Sequence, residues 1–281
     1  MYRGERELCF LPLAHAYSCA FNFLVPMAVG AHVYLLGKVP SPKILLKAFE
    51  EVKPNLILTV PLILEKIYKK MILPQLSKTT MKVALNIPLL DSRIYAQIRK
   101  KLVDAFGGRF REVIVGGAAM NEEVTNFLYK IKFPFTIGYG MTECGPLISY
   151  DHNDEYVPGS CGQILKGIMK VRIDSEDPYN KVGEIQVSGE NVMKGYYKNE
   201  EATSKVFTED GWLRTGDLGT IDADNRIYIR GRSKTMILGA SGQNIYPEEI
   251  ESKLNNLPFV MESIIIEKNG KLVGLVYPDY D

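Results

Sequence analysis

Short apolar runs, AHVYLL (31–36), NLILTV (55–60), EVIVGG (112–117) and FTIGYG (135–140), alternate along the first half of the chain with segments whose apolar residues recur at helical spacing. A strand that is apolar on both faces must be covered on both faces, so the alternation predicts an α/β fold: a parallel sheet covered by helices. Ser41-Pro42 marks the start of the helical KILLKAFEEV, Pro61 opens LILEKIYKKMIL, and Asp91-Ser92 opens RIYAQIRKKLVDAF, which Gly107-Gly108 stops. Residues 121–131 read as a further helix, and the run at 31–36, after a turn at Gly30, reads as a buried strand.

Near Pro158-Gly159 the pattern changes to period two, in KVRID and GEIQVSG, with a hairpin expected around Asp224-Asn225. After Arg232 come TMILGASGQNIYP, the helical EEIESKLNNL, and two strands joined by Asn269-Gly270. Three segments are therefore expected: an α/β subdomain (1–158), a small β-rich subdomain (159–232) and a truncated α+β C-terminal domain (233–281).

The stretch from Cys9 to Gly37 holds no Asp, Glu, Lys or Arg and is long enough to raise a membrane span. Pro12, Pro26, His15, Asn22 and His32 argue against one, and Glu5 with Glu7 spoil the basic start that a signal peptide needs. Thirty-four Lys and Arg against 33 Asp and Glu leave a net charge of +1, so no nucleic-acid partner is expected. Cys9, Cys19, Cys144 and Cys161 form no C-x-x-C pair and read as free thiols in a reducing cytoplasm, and the scattered His15, His32 and His152 do not argue for zinc.

Three loops carry candidate chemistry. Gly116-Gly117-Ala118-Ala119 follows a strand and precedes a helix, where open α/β sheets bind ligands, although a glycine pair is also an ordinary turn. In GYGMTECGP (138–146), an aromatic ring (Tyr139), a hydroxyl (Thr142) and a hard carboxylate (Glu143) suit a nucleotide with Mg²⁺; a turn capped by Thr142 is the plainer reading. No histidine lies nearby to activate Cys144 as a nucleophile. In GWLRTGDLG (211–219), Asp217 sits in a glycine-flanked turn, either accepting hydrogen bonds from a sugar diol or bonding its own backbone. Arg232, fifteen residues on, joins it if the hairpin folds back.

In order, LPLAHAYS (11–18), GGAAM, GYGMTE, GEIQVSGENVMKGYYKNEEAT (183–203), GWLRTGDLG and GRSKTMILGASGQNIYPEEIE (231–251) resemble the motifs of the adenylate-forming acyl-CoA synthetases. The GRSK and NIYPEEIE wording is most similar to long-chain fatty acid:CoA ligases. The resemblance implies that segment 1–158 belongs to a large adenylating domain and that Gly116, Gly117 and Ala118 line the adenine. Tyr139 would stack on it, with Gly140 beside it, Thr142 would contact phosphate, and Glu143 would ligate Mg²⁺. Asp217 and Arg232 would hold the ribose, and His15 would lie between the acyl pocket and the phosphates. Lys234 matches the hinge position, and Gly239 and Gly242 the loop lining the CoA tunnel. The implied substrates are a fatty acid, ATP and CoA; the implied location is cytoplasmic or membrane-peripheral.

The family's Gly-, Ser- and Thr-rich phosphate loop, which precedes LPLAHAYS, and its late Gly-Lys segment are absent. The expectation is therefore part of a longer ligase, with the chain alone making no acyl-CoA. A non-catalytic nucleotide or acyl-AMP module and an acyl-AMP ligase feeding a carrier protein are the alternatives.

Overall fold

The structure, a computed structural model, describes residues 1–281 apart from 89, 239–242, 258 and 279–281. The chain divides into two compact units, Met1–Gly162 and Gln163–Asp281.

The first unit is built on five parallel strands, β1 (Arg6–Cys9), β2 (His32–Leu35), β3 (Ile57–Thr59), β4 (Val113–Val115) and β5 (Phe135–Ile137). β1 pairs with β2, and β4 lies between β3 and β5; a parallel bridge from Glu7 to Leu56 joins the two groups in the order β2-β1-β3-β4-β5. Two short antiparallel strands, β6 (Tyr139–Gly140) and β7 (Leu147–Ser149), follow β5.

The helix Pro42–Val52 shows why the local sequence folds as it does. The Ser41 hydroxyl accepts from the Ile44 amide at 3.4 Å, Pro42 takes the first helical position where no amide is needed, and Lys53 ends the helix at φ 51°. Leu45, Ala48 and Phe49, spaced i, i+3, i+4, turn inward, and the Phe49 ring stacks on Phe106 at 5.1 Å and meets Phe10 edge-on at 5.8 Å. The helix Glu122–Lys130 is capped by Asn121, whose side-chain oxygen accepts from the Glu123 and Val124 amides at 3.0 and 3.3 Å, while the Asn121 amide donates to Glu65 at 2.9 Å. Asn121→Ala is expected to cost about 1 kcal/mol, read as a lower urea midpoint at constant slope.

One expectation fails in this unit. The run at 31–36 does form a strand, but β2 is not buried: Tyr34 and Leu35 are 43% and 62% exposed, because β2 is the edge of its pairing. Among the described residues no helix is long and apolar enough to cross a membrane.

The second unit opens with an antiparallel sheet of β8 (Met169–Asp174), β9 (Gly183–Gly189), β10 (Leu213–Ile221) and β11 (Ile227–Arg232) in the order β11-β10-β9-β8. Short strands β12 (Ile237–Leu238) and β13 (Asn244–Ile245) precede the helix Pro247–Leu254, then come β14 (Val260–Lys268) and β15 (Lys271–Pro278). Asn269 and Gly270 both have positive φ, 55° and 71°, as a two-residue turn matched to strand twist requires. The helix holds the hairpin by polar as well as apolar contacts, since Glu251 accepts from the Ile265 amide at 2.7 Å and Asn255 from the Ser263 hydroxyl at 2.8 Å.

Candidate active site

Three loops leave the carboxyl ends of the first unit's strands toward one pocket. The chain after β1 brings His15, Tyr17 and Phe21; the chain after β4 brings Gly116 and Gly117; and the chain after β5 brings Gly138, Tyr139, Gly140, Met141 and Thr142. That is the end of an open parallel sheet at which α/β folds bind ligands.

Each loop has a local reason for its shape. His15 caps the helical piece Ala16–Ser18, its Nδ1 accepting from the Tyr17 amide at 3.3 Å; Cys19–Leu24 continues it as a π-helix and Val25–Val29 as an α-helix. Tyr17 donates its hydroxyl to the carbonyl oxygen of Ile114 at 3.1 Å and lays its ring against Gly116, where a Cβ would sit 3.4 Å from it. Tyr139 is buried in β6, paired with Ser149. Gly140 is obligatory: a Cβ there would overlap the carbonyl oxygen of Pro146 as the loop doubles back. Thr142–Cys144 is a single 3₁₀ turn, with Thr142 exposed, its hydroxyl unpartnered among the described residues, and Glu143 half-buried. Thr142 therefore does not serve as a side-chain cap. Burial, with a smaller push from the Glu143 charge, raises the Cys144 thiol to about 12, which leaves it a thiol rather than a nucleophile at neutral pH.

The second unit holds the other group. Asp217 does not lie in a turn, as its flanking glycines suggested, but within β10, where pairing breaks register between Arg214 and Leu218. It is opposite Arg232 in β11, and Arg232 Nε donates to Asp217 Oδ1 at 3.0 Å. The Asp217 side chain is 8% exposed and that of Arg232 72%, so a buried carboxylate is met by a largely solvent-exposed guanidinium. Lys234 is exposed in the turn after β11, which the Ser233 amide ties back to the Gly216 carbonyl oxygen at 2.9 Å. Gly239 and Gly242 lie outside the described residues.

The pocket thus gathers His15, Gly116, Gly117, Tyr139, Gly140 and Thr142, with Ala118 and Glu143 next to lining residues in the chain. Sequence reading missed Tyr17 and Phe21. Tyr17 stood inside a motif already singled out, but only its packing on Gly116, ninety-nine residues away, marks it as a wall of the pocket.

Residues 1–197 match the model of the AMP-binding enzyme family. The chain belongs to this family. Long-chain-fatty-acid–CoA ligase 1 of Saccharomyces cerevisiae is 28% identical over 298 residues, covering 98% of this chain and 43% of the yeast protein. 4-coumarate–CoA ligase CCL1 of Humulus lupulus is 31% identical over 287 residues, covering 98% of this chain and 46% of that protein. The chain therefore spans less than half the length of these curated relatives. Among solved structures, ATP-bound MatB from Rhodopseudomonas palustris superposes with a TM-score of 0.76 at 25% identity, over 99% of this chain and 51% of MatB. MenE from Bacillus subtilis in complex with ATP and magnesium ion gives 0.70 at 26% identity, over 96% of this chain and 50% of that one. The family match agrees with the motif resemblance to acyl-CoA ligases.

Proposed function

We propose that this chain carries the nucleotide-binding part of an ATP-dependent long-chain fatty acid:CoA ligase. The observation that carries the reading is the convergence of His15, Gly116, Gly117, Tyr139, Gly140 and Thr142 on one pocket at the carboxyl end of the sheet. In this reading Gly116, Gly117 and Ala118 line the adenine, Tyr139 packs against it, Thr142 donates to phosphate, and His15 stands between phosphate and acyl chain. Asp217 and Arg232 hold the ribose. Lys234 is the hinge to a mobile segment 233–281, and Gly239 and Gly242 belong to the CoA tunnel.

The chemistry is acyl activation in two steps. The substrate carboxylate attacks the α-phosphorus of ATP, forming acyl-AMP and releasing pyrophosphate; CoA thiolate then attacks the acyl carbon, forming the thioester and releasing AMP. The residues' work is alignment and neutralisation of charge on the phosphates, for which preorganised donors are worth more than in water. Glu143, half-buried in the turn that carries Thr142, would be the carboxylate that holds Mg²⁺, an ion bound by one or two carboxylates with water and substrate phosphates rather than by an all-protein cage. Bound there, Mg²⁺ would neutralise phosphate charge.

The test is a pair of titrations on the 281-residue chain, AMP by calorimetry and palmitate against 4-coumarate as acyl partners. Tighter binding of palmitate supports the long-chain reading; preference for 4-coumarate moves the chain to the aromatic-acid ligases, and failure to bind AMP removes the nucleotide site. In the complete enzyme Glu143→Gln is expected to raise the Mg²⁺ concentration for half-maximal rate about tenfold, because a neutral amide is a poorer hard ligand of nearly the same shape. An unchanged Mg²⁺ dependence would return Glu143 to a loop carboxylate.

A further inference from the structure

β1 carries an acid where a strand covered on both faces has little use for one. Side chains alternate along it, so Leu8 and Phe10 join the apolar core while Glu7 and Cys9 turn to the other face. There Glu7 is fully buried, and Asn22 Nδ2 donates to Glu7 Oε1 at 2.6 Å. Asn22 Oδ1 in turn lies 3.1 Å from the Ser18 hydroxyl, which is also 3.1 Å from the carbonyl oxygen of Leu11. Ser18 and Asn22 are themselves fully buried, and the second Glu7 oxygen has no hydrogen-bond partner among the described residues. The same helical turn presents His15 and Tyr17 to the pocket.

We propose that Glu7 is a positioning residue for the candidate site: as a neutral carboxylic acid it grips Asn22, and through Asn22 and Ser18 it seats the turn that carries His15 and Tyr17. Only the nucleotide arm of the test below depends on the functional reading above.

A carboxylate in this position would be charged, dehydrated and without an ion-pair partner among the described residues. Burial accordingly holds Glu7 well above the usual carboxylate range, offset only in part by the Asn22 bond and by the distant terminal ammonium. The titratable groups that face it are Cys9 and Tyr17. Burial raises both, offset in part at Cys9 by the Ser18 hydroxyl, so both remain neutral and supply no cation. Below the usual carboxylate range Glu7 is neutral whether folded or unfolded, and its contribution is complete. As pH climbs from there toward the raised folded value, the unfolded chain releases the proton and the folded state loses stability. Glu7→Gln keeps the shape and the acceptor but removes the titration.

The experiment is amide hydrogen exchange of segment 15–24 in the ligand-free chain at pH 6 and pH 9, corrected for intrinsic rate, in wild type and Glu7→Gln. Wild type is expected to lose about tenfold in protection and Glu7→Gln to lose none. Equal pH responses in the two chains, or lost protection in Glu7→Gln already at pH 6, would overturn the proposal. If Glu7→Gln does not fold, Asn22→Ala decides, since it should unseat segment 15–24 at pH 6; unchanged protection would overturn the idea as well. AMP titrations in parallel separate the two readings. If AMP binds to neither chain while the exchange contrast persists, the nucleotide assignment fails and the positioning role stands.

Discussion

Asp217→Ala is expected to bind AMP about a hundredfold more weakly than the wild-type chain, or worse, while unfolding within a few degrees of it. A ribose diol offers two hydroxyl donors, and a hydrogen bond to a charged acceptor is worth about 1.5–3 kcal/mol, or roughly ten- to a hundredfold in affinity for each bond lost. The structure sharpens the contrast with a purely structural role. Arg232, the ion-pair partner, is 72% exposed and is rehydrated when the carboxylate goes, so the variant leaves no buried charge behind. Calorimetry with AMP and 2′-deoxy-AMP, beside a thermal melt of the apo chain, reads both quantities. Wild type should prefer AMP and the variant should scarcely distinguish the two. A large fall in melting temperature with the preference intact would make Asp217 a strand-holding residue and remove it from the site.

Gly140→Ala should be the most damaging single methyl in the pocket. The added carbon would overlap the Pro146 carbonyl oxygen, with the Pro146 carbonyl carbon at 2.9 Å and Leu147 Cα at 3.0 Å, all backbone atoms that no rotamer change can move aside. Overpacking of this kind costs about 1–3 kcal/mol, occasionally more. The only relief is to part β6 from β7, which displaces Tyr139 and Thr142 together. A melting temperature lower by several degrees and at least a tenfold loss of AMP affinity are therefore expected together. Gly37→Ala is the control, because nothing lies within 4 Å of a Cβ there. If Gly140→Ala melts and binds like Gly37→Ala, the close approach of the two strands does not shape the pocket.

Much of the candidate site was legible because its signals are local. Gly116-Gly117 after an apolar strand, and Tyr139 between Gly138 and Gly140, state their geometry within a few residues. The Asp217–Arg232 pair was legible only conditionally. Fifteen residues separate them, and their meeting depends on the bulge between Leu218 and Gly219, which shifts the register of β10 against β11. Glu7 entered the sequence reading only as an acid that spoils a signal-peptide start, and nothing near it in the chain tells that Asn22 closes over it.

The sequence by itself determined the alternation of strands and helices, the helix start at Ser41, the Asn269-Gly270 turn, and the loops that bear the family's motifs. These follow from backbone preferences and side-chain periodicity acting over a few residues. Only the tertiary structure decided that β2 stays exposed at an edge, that Asp217 belongs to a strand, that Tyr17 walls the pocket against Gly116, and that Glu7 is sealed beneath the turn carrying His15. The physical reason is common to all four. Burial, ion pairing and protonation depend on which distant segments come into contact, and a partner's distance in space is not encoded in its distance along the chain.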